Sequence, residues 1–372
     1  MRKVRIGFVG VGNISGIYLE NLTKEFREVE IIGVCDLIRE RAEKAVKEYN
    51  IPKLYGDMYE LFADPEVDIV LNITQAVNHY AVTKAAILAG KNVYSEKPLA
   101  TELDQARELV ELAREHGVML GGAPDTCLGG GIQTCRKLID MGVIGEVIGA
   151  DAHMICRGPE AWHPDPEFFY ERGGGPMLDM GPYYMTALVN LLGRCSAVTG
   201  FSKKTYTERL ITSEPKCGTL MPVSVDTFVT GSMLFESGAI AQMHASFDTF
   251  CSGDEHAKIE IYGTEGNLRV PDPNGFGYAG IFLLRAGESE YRQIPSLFDY
   301  CGNDRGIGLA DMAKALLTGR DFRCNYRQQL HVLELMKSFE TASAERRVVT
   351  IESEYERSAP MLYPDIHGVL KD

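Results

Sequence analysis

The chain has 372 residues, 45% hydrophobic and 24% charged, enough to bury the cores of two domains. Its 52 acidic and 38 basic side chains leave a net charge of −14 with no basic patch, which argues against nucleic acid and anionic membrane surfaces as partners. The nine cysteines are scattered without CxxC or zinc-type spacing, so free thiols in a cytoplasmic setting and no metal are expected.

From the N-terminus, residues 4–9 (VRIGFV) read as a β-strand running into Gly10-Val11-Gly12-Asn13-Ile14-Ser15. A strand, then G-x-G-x-x-small, then a helix is the dinucleotide fingerprint. Gly12 lets the backbone approach a pyrophosphate, and the helix expected from Asn13 and Ile14 onward points its dipole at it. The next strand, 30–35, ends at Asp36, the carboxylate expected on the adenosine ribose hydroxyls, which favours NAD. Arg39, three residues on, leaves NADP possible by compensating a 2′-phosphate. A helix at 38–49, a strand at 67–73, a helix at 78–89, a strand at 92–95, a helix at 102–116 and a strand at 118–122 follow. This alternation predicts an α/β fold with a doubly wound parallel sheet, and an NAD(P)-binding domain over 1–123. No stretch approaches the roughly 18 apolar residues of a transmembrane helix, and MRKVRIGFVGVG has no apolar core or cleavage site of a signal peptide.

Ser95-Glu96-Lys97-Pro98 follows a strand directly. Alone it reads as a polar loop with a proline stop. In a doubly wound sheet the carboxyl ends of the strands form the ligand crevice, so Glu96 and Lys97 become cofactor-side candidates, with Lys97 near the nicotinamide. With GFVGVGNIS (7–15), DPEVDIV (64–70), NHYAVTKAAILAGKNVYSEKPLA (78–100), LIDMGVIGEVIGA (138–150), GGGPMLDMG (173–181) and IEIYGTEGNLRV (259–270), the chain resembles the Gfo/Idh/MocA oxidoreductases over nearly its whole length. The resemblance implies an N-terminal Rossmann domain and, over 124–372, a C-terminal α/β domain with a large, open, mainly antiparallel sheet. It implies a homo-oligomer, dimer or tetramer, formed through that sheet. It also puts Thr74, Asn78 and His79 on the nicotinamide side, a surface position at the start of a helix being the plainer reading of His79.

Beyond 145 the residues agree, with strands expected at 146–156, 196–206, 225–235, 238–248, 257–263 and 267–271 between turn signals such as Ser237-Gly238 and Asp272–Gly275. Residues 202–220 read as an exposed hairpin excursion of unknown role. The stretch GGGPMLDMGPYY at 173–184 carries the chemistry. Many members of the family have Asp-x-Gly-x-His here. In this chain Asp179 and Gly181 match, and Tyr183 stands at the His place, as in the subgroup with glucose–fructose oxidoreductase and the dihydrodiol dehydrogenases. Oxidising an alcohol requires a base. A phenol, of pKa about 10, becomes one near neutrality only when a cation stabilises the phenolate. Lys97 is that cation in this reading. A helix from about 179 would put Asp179 and Tyr183 on one face, with Asp179 orienting the substrate or Lys97; N-capping is its simpler role. Tyr184 reads as packing. Weaker substrate candidates are Arg157 and the Trp162-His163 pair, an aromatic face with a hydrogen-bonding neighbour. Relatives carry an Arg near Asp125-Thr126, and its absence here favours a neutral polyol.

The expected activity is NAD(P)-dependent hydride transfer to or from a secondary alcohol of a sugar, glycoside or cyclitol. Two alternatives stand beside it: an NAD-dependent glycosidase acting by transient oxidation and elimination, and a non-catalytic sugar- or nucleotide-sensing regulator. Loss of Lys97 or of the Asp179/Tyr183 pair would have favoured the regulator, and all three residues are present.

Overall fold

The computed structural model describes residues 2–250, 258–277 and 280–362. They form two compact units: 2–130 with 297–330 and 358–362, and 131–296 with 331–357.

The first unit opens with β1 (Val4–Val9), α1 (Ser15–Lys24), β2 (Val29–Cys35), α2 (Arg39–Tyr49), β3 (Lys53–Leu54), α3 (Met58–Ala63), β4 (Ile69–Asn72), α4 (Ala76–Leu88), β5 (Asn92–Ser95), α5 (Leu103–His116) and β6 (Leu120–Gly122). The six strands pair in parallel in the order β3-β2-β1-β4-β5-β6. Ile6, Phe8, Val34, Ile69, Val70, Leu71 and Val93 are all fully buried. A parallel sheet covered on both faces needs such continuous apolar runs, which is why the strands read as apolar blocks rather than alternations. The helices stop where the sequence punctuates them: α5 ends at Gly117 (φ +64) and α2 at Asn50 (φ +53), both left-handed caps. The short β3 and the α3 turn, capped by Asp57 accepting from the N–H of Tyr59 and Glu60, went unread in the sequence.

The second unit contains α6 (Gly130–Asp140), β7 (Val147–Ile155), α7 (Gly175–Asp179), α8 (Gly181–Leu192), β8 (Cys195–Lys203), β9 (Glu208–Leu210), β10 (Leu220–Pro222), β11 (Phe228–Phe235), β12 (Ile240–Ser246), β13 (Ile259–Gly263), β14 (Gly266–Val270), β15 (Ile281–Arg285) and β16 (Arg292–Ile294). The first residue of the expected strand 257–263 lies outside the described residues. The chain then gives α9 (Ile307–Thr318) to the first unit and continues through α10 (Tyr326–Glu345) to β17 (Val349–Thr350). Nine strands form one sheet, β16-β15-β14-β13-β7-β12-β11-β8-β17, antiparallel except where β12 meets β7. Here the alternation is clean, as expected of a sheet with one covered face. Val198, Val229, Met233, Met243, Ala152, Ile261 and Leu268 are buried on one side, where Phe339 of α10 approaches Gly200 and Gly231. On the other side Phe201, Leu234 and Ile240 are exposed, with Leu234 and Ile240 directly paired across strands. The 202–220 excursion is a small ribbon, β9 against β10, rather than an exposed hairpin throughout. Leu210 and Leu220 face outward, while Arg209 and Met221 are buried.

In the first unit, α9 starts on a buried acid. Asp125 Oδ2 accepts from the backbone N–H of Gly306 (2.8 Å) and Gly308 (3.1 Å), at the positive end of the helix. Burial nevertheless raises its pKa from 3.8 to about 6, against the pull of those two donors. The folded unit therefore holds a proton on Asp125 between those values that the unfolded chain has released. The contribution is fully present below the unfolded pKa and is lost as pH rises through the folded one. Asp125→Asn keeps an oxygen for both N–H donors and removes the buried charge. Thermal unfolding is expected to show a gain of up to about 3 kcal/mol at pH 7.5 that vanishes near pH 4; an equal shift at both pH values would contradict this account.

Candidate cofactor and active site

The loop between β1 and α1 is shaped by two glycines with different reasons. Gly10 lies at φ +97, and a Cβ there would sit 2.9 Å from the Ile73 carbonyl oxygen. Gly12 has nothing within 4 Å of a would-be Cβ, so its backbone is open to close approach. The helix begins at Ser15, later than the sequence suggested. Ser15 N (3.1 Å) and Oγ (2.7 Å) both donate to Gly12 O, which turns Asn13 and Ile14 into the approach to the helix. Asp36 ends β2 as expected and also holds the loop: its carboxylate accepts from Val11 N (2.6 Å) and Ile38 N (2.7 Å). Carboxylate oxygens keep further acceptor capacity. Arg39, exposed at the head of α2, pairs with Glu43 one turn on at 2.9 Å. The open backbone at Gly12, the helix N-terminus behind it and the carboxylate at the next strand end fit a dinucleotide.

The ends of β4 and β5 are tied together by buried polar contacts. Glu96 Oε2 accepts from Lys97 N (2.9 Å), and Tyr18 of α1 donates to Glu96 Oε1 (2.7 Å). His79 Nδ1 lies 2.7 Å from Pro98 O and Nε2 lies 2.9 Å from Thr74 O. Asn72 donates to His79 O and Thr83 Oγ1, and its Oδ1 accepts from Thr74 Oγ1 at 2.7 Å. The plainer reading of His79 as a surface residue is thus corrected: it is 1% exposed and engaged at both ring nitrogens. Burial lowers its pKa, opposed by the Pro98 and Thr74 carbonyls and by Glu96. Thr74 and Lys97 are half-buried, and Asn78 is exposed in the first turn of α4. Tyr18 and Asn72 carry no local mark in the sequence: Tyr18 meets Glu96 across 78 residues, and Asn72 closes an apolar strand.

In the second unit GGGPMLDMGPYY makes two short helices rather than one starting near 179. Pro182 has no N–H for the Leu178 carbonyl, so the ladder that begins at Gly175 breaks at Met180 and restarts at Gly181. Asp179 therefore closes α7, and Met180, not Asp179, is the N-cap of α8. Asp179 is half-buried, Tyr183 is 8% exposed, and Tyr184 is core, its pKa raised chiefly by burial. A Cβ on Gly174 would lie 2.6 Å from the carbonyl oxygens of Phe168 and Phe169, so this glycine serves the unit's own packing rather than close approach to a ligand.

Past β7, Arg157 donates to Asp248 O and stacks on Phe250 (4.4 Å) and Tyr206 (5.3 Å). Trp162 is 68% exposed, edge-on to His163 and Phe169. His163 Nδ1 accepts from Asp165 N at 3.0 Å, which puts the proton of a neutral ring on Nε2. Beneath them lies a polar network with no local mark in the sequence. Buried Arg209 bonds Glu160, Asp248 Oδ1 (2.6 Å), and the carbonyls of Arg157 and Phe247 (3.0 Å). Tyr170 donates to the other oxygen of Glu160, and Thr227 to Asp248 Oδ2. This ionic core ties the 202–220 excursion to the loop carrying Arg157, Trp162 and His163.

Two family models match the chain: residues 4–122 fit the oxidoreductase family with NAD-binding Rossmann fold, and residues 132–269 fit the GFO/IDH/MocA C-terminal domain. The chain belongs to the Gfo/Idh/MocA oxidoreductase family. It is 32% identical over 269 residues to 1,5-anhydro-D-fructose reductase of Ensifer adhaerens, covering 72% of this chain and 75% of that one. It is 27% identical over 314 residues to trans-1,2-dihydrobenzene-1,2-diol dehydrogenase of Macaca fuscata fuscata, covering 84% and 86%. Its fold is that of an NAD binding oxidoreductase from Klebsiella pneumoniae (TM-score 0.81, 23% identity, 95% of this chain and 100% of that one). It is equally that of a levoglucosan dehydrogenase solved with NADH and levoglucosan (TM-score 0.80, 19% identity, 94% and 100%). The protein is thus an NAD-binding oxidoreductase of this family, and no helix among the described residues is long and apolar enough to cross a membrane.

The glycine loop separates binding from folding. Gly12→Ala meets open space, so the free energy of unfolding should stay within about 0.5 kcal/mol of wild type, while NADH affinity measured by fluorescence titration falls at least about tenfold because the pyrophosphate needs that backbone. Gly10→Ala should unfold at lower temperature in the absence of any nucleotide. Equal NADH binding by Gly12→Ala and wild type would remove the loop from the cofactor site.

Proposed function

We propose that the protein oxidises, or in reverse forms, a secondary alcohol of a neutral sugar, glycoside or cyclitol, with NAD as the cofactor. The observation that carries this is an NAD-family first unit with an open Gly12 loop, joined to a second unit bearing Asp179 and Tyr183 in the Asp-x-Gly-x-Tyr pattern. The names of the relatives support the substrate class: an anhydrofructose reductase, a dihydrodiol dehydrogenase and a D-xylose dehydrogenase of Paenarthrobacter nicotinovorans all handle hydroxyl or carbonyl carbons of ring or sugar compounds. When bound, NAD supplies the hydride acceptor. Gly10, Gly12, Asn13, Ile14 and Asp36 hold its phosphates and ribose, with Thr74, Asn78, His79 and Glu96 shaping the nicotinamide side. Tyr183 Oη takes the proton of the substrate hydroxyl, and Lys97 Nζ binds the substrate oxygen and stabilises the phenolate charge. Asp179 orients the reacting hydroxyl. The exposed face of Trp162, His163 Nε2 and the Arg157 guanidinium contact the rest of the substrate. The compartment that suits the scattered cysteines is the cytoplasm.

The test is a panel of polyols, aldoses and glycosides with NAD and NADP, followed by NADH absorbance. On the best substrate, Tyr183→Phe should lose about a hundredfold or more in kcat, the range of general acid–base catalysis, with NADH affinity unchanged. Unaltered turnover would take proton transfer away from Tyr183.

We also infer that a second copy of the chain covers the open face of the nine-stranded sheet. That face carries three exposed large apolar side chains, Phe201, Leu234 and Ile240, the last two paired across neighbouring strands, and exposed apolar surface of this kind marks protein–protein interaction sites. Light scattering should give a dimer or tetramer for wild type and a monomer for the double variant Phe201→Asp/Ile240→Asp. A wild-type monomer would refute the interface.

A further inference from the structure

We propose that Tyr18 is a positioning residue for Lys97, acting through Glu96. This rests on the reading that Lys97 serves the reaction. Tyr18 has no solvent-accessible surface, so it can touch neither cofactor nor substrate. Among the described residues, its route to the chemistry is the contact its hydroxyl makes, 2.7 Å to Glu96 Oε1. Glu96 is itself 7% exposed and spends its other oxygen on Lys97 N at 2.9 Å. The two contacts together run from the helix behind the glycine loop to the backbone of Lys97. On the far side of the same turn, Pro98 O lies 2.7 Å from His79 Nδ1. Lys97 is thereby held at its own N–H, one residue before that contact.

A buried carboxylate with one donor removed carries a desolvation penalty it can relieve only by moving, by taking up a proton or by drawing in another donor. Each of these disturbs the residue it is bonded to next. Tyr18 is well suited to prevent that. Burial, the charge of Glu96 and that of Asp125 hold its pKa well above the ordinary phenol value, so its hydroxyl stays a donor. The ring fills the core, and the hydroxyl alone does the positioning. Misplacement of a catalytic group by about 1 Å is enough to cost about a hundredfold in rate, so a loosened Lys97 has a readable consequence.

Tyr18→Phe removes one oxygen and keeps the packing. Turnover of the full-length enzyme on its best substrate is expected to fall about tenfold, the order of one lost hydrogen bond to a charged group, with NADH affinity within about twofold of wild type. In a Lys97→Met background the same change should alter the residual rate by less than about twofold, because there is no longer a lysine to place. Wild-type kcat in Tyr18→Phe, an effect confined to melting temperature or NADH affinity, or equal losses with and without Lys97 would each overturn the proposal. Full turnover by Lys97→Met would overturn both this and the role assigned to Lys97, whereas a dead Lys97→Met beside an unimpaired Tyr18→Phe would remove only the positioning role.

Discussion

The first unit depends on the reversal of strand order between β1 and β4. Parallel strands all present their carboxyl ends along one edge, and helices leave that edge in opposite directions on either side of the reversal. Backbone ends and helix N-termini are thereby left facing a gap that the unit's own elements do not fill. The glycine loop after β1, Asp36 after β2, Thr74 just past β4 and Glu96–Lys97 after β5 share this edge because of topology, not because of any attraction among them. Their types then follow from what the edge demands: no side chain at Gly12, an acceptor at Asp36, and a cation at Lys97.

Both units hold buried or half-buried acids and give each of them two or more donors. Asp36 takes two backbone N–H groups, Asp125 two more, and Glu96 one N–H and one phenol. In the second unit Glu160 and Asp248 share Arg209 and are completed by Tyr170 and Thr227. An unsatisfied buried carboxylate is costly, so each of these sites admits few arrangements of the chain around it. That stringency is useful beside a reaction centre. Hydrophobic packing fixes the elements, while the buried acids fix the loops between them. The cost shows at Asp125, whose pKa of about 6 marks a carboxylate not fully compensated by its two donors.

The glycine pattern and the alternation of apolar blocks with amphipathic helices made the first unit legible in the sequence, because both are local. Strand alternation made the large sheet legible for the same reason. The break at Met180 was written in Pro182 but was outweighed by the four-residue spacing of Asp179 and Tyr183. Other features had no local mark. Arg209 meets Glu160 and Asp248 from 49 and 39 residues away, and the hydroxyl of Tyr18 meets Glu96 across 78. His79 looked like a surface residue because it opens a helix; it is buried where the loops after β4 and β5 meet its ring through Thr74 O and Pro98 O. The return of 297–330 to the first unit is set by Asp125 and the α9 N-terminus, a long-range pairing that no periodicity announces.

The same distinction bears on cofactor choice. From sequence alone Asp36 argues for NAD and Arg39 argues back, since a cation three residues on could receive a 2′-phosphate. The geometry weighs them differently. Arg39 is exposed and already paired with Glu43 on its own helix, so its charge is shared and screened. Asp36 is pinned by Val11 N and Ile38 N, one on each oxygen. A carboxylate free to rotate could swing aside for a phosphate. This one would have to give up two charge-assisted hydrogen bonds, one of which holds the glycine loop itself. In the proposed NAD site, repulsion of a 2′-phosphate and integrity of the glycine loop would thus fall to one side chain, and a preference for NAD would be built into the loop's own support.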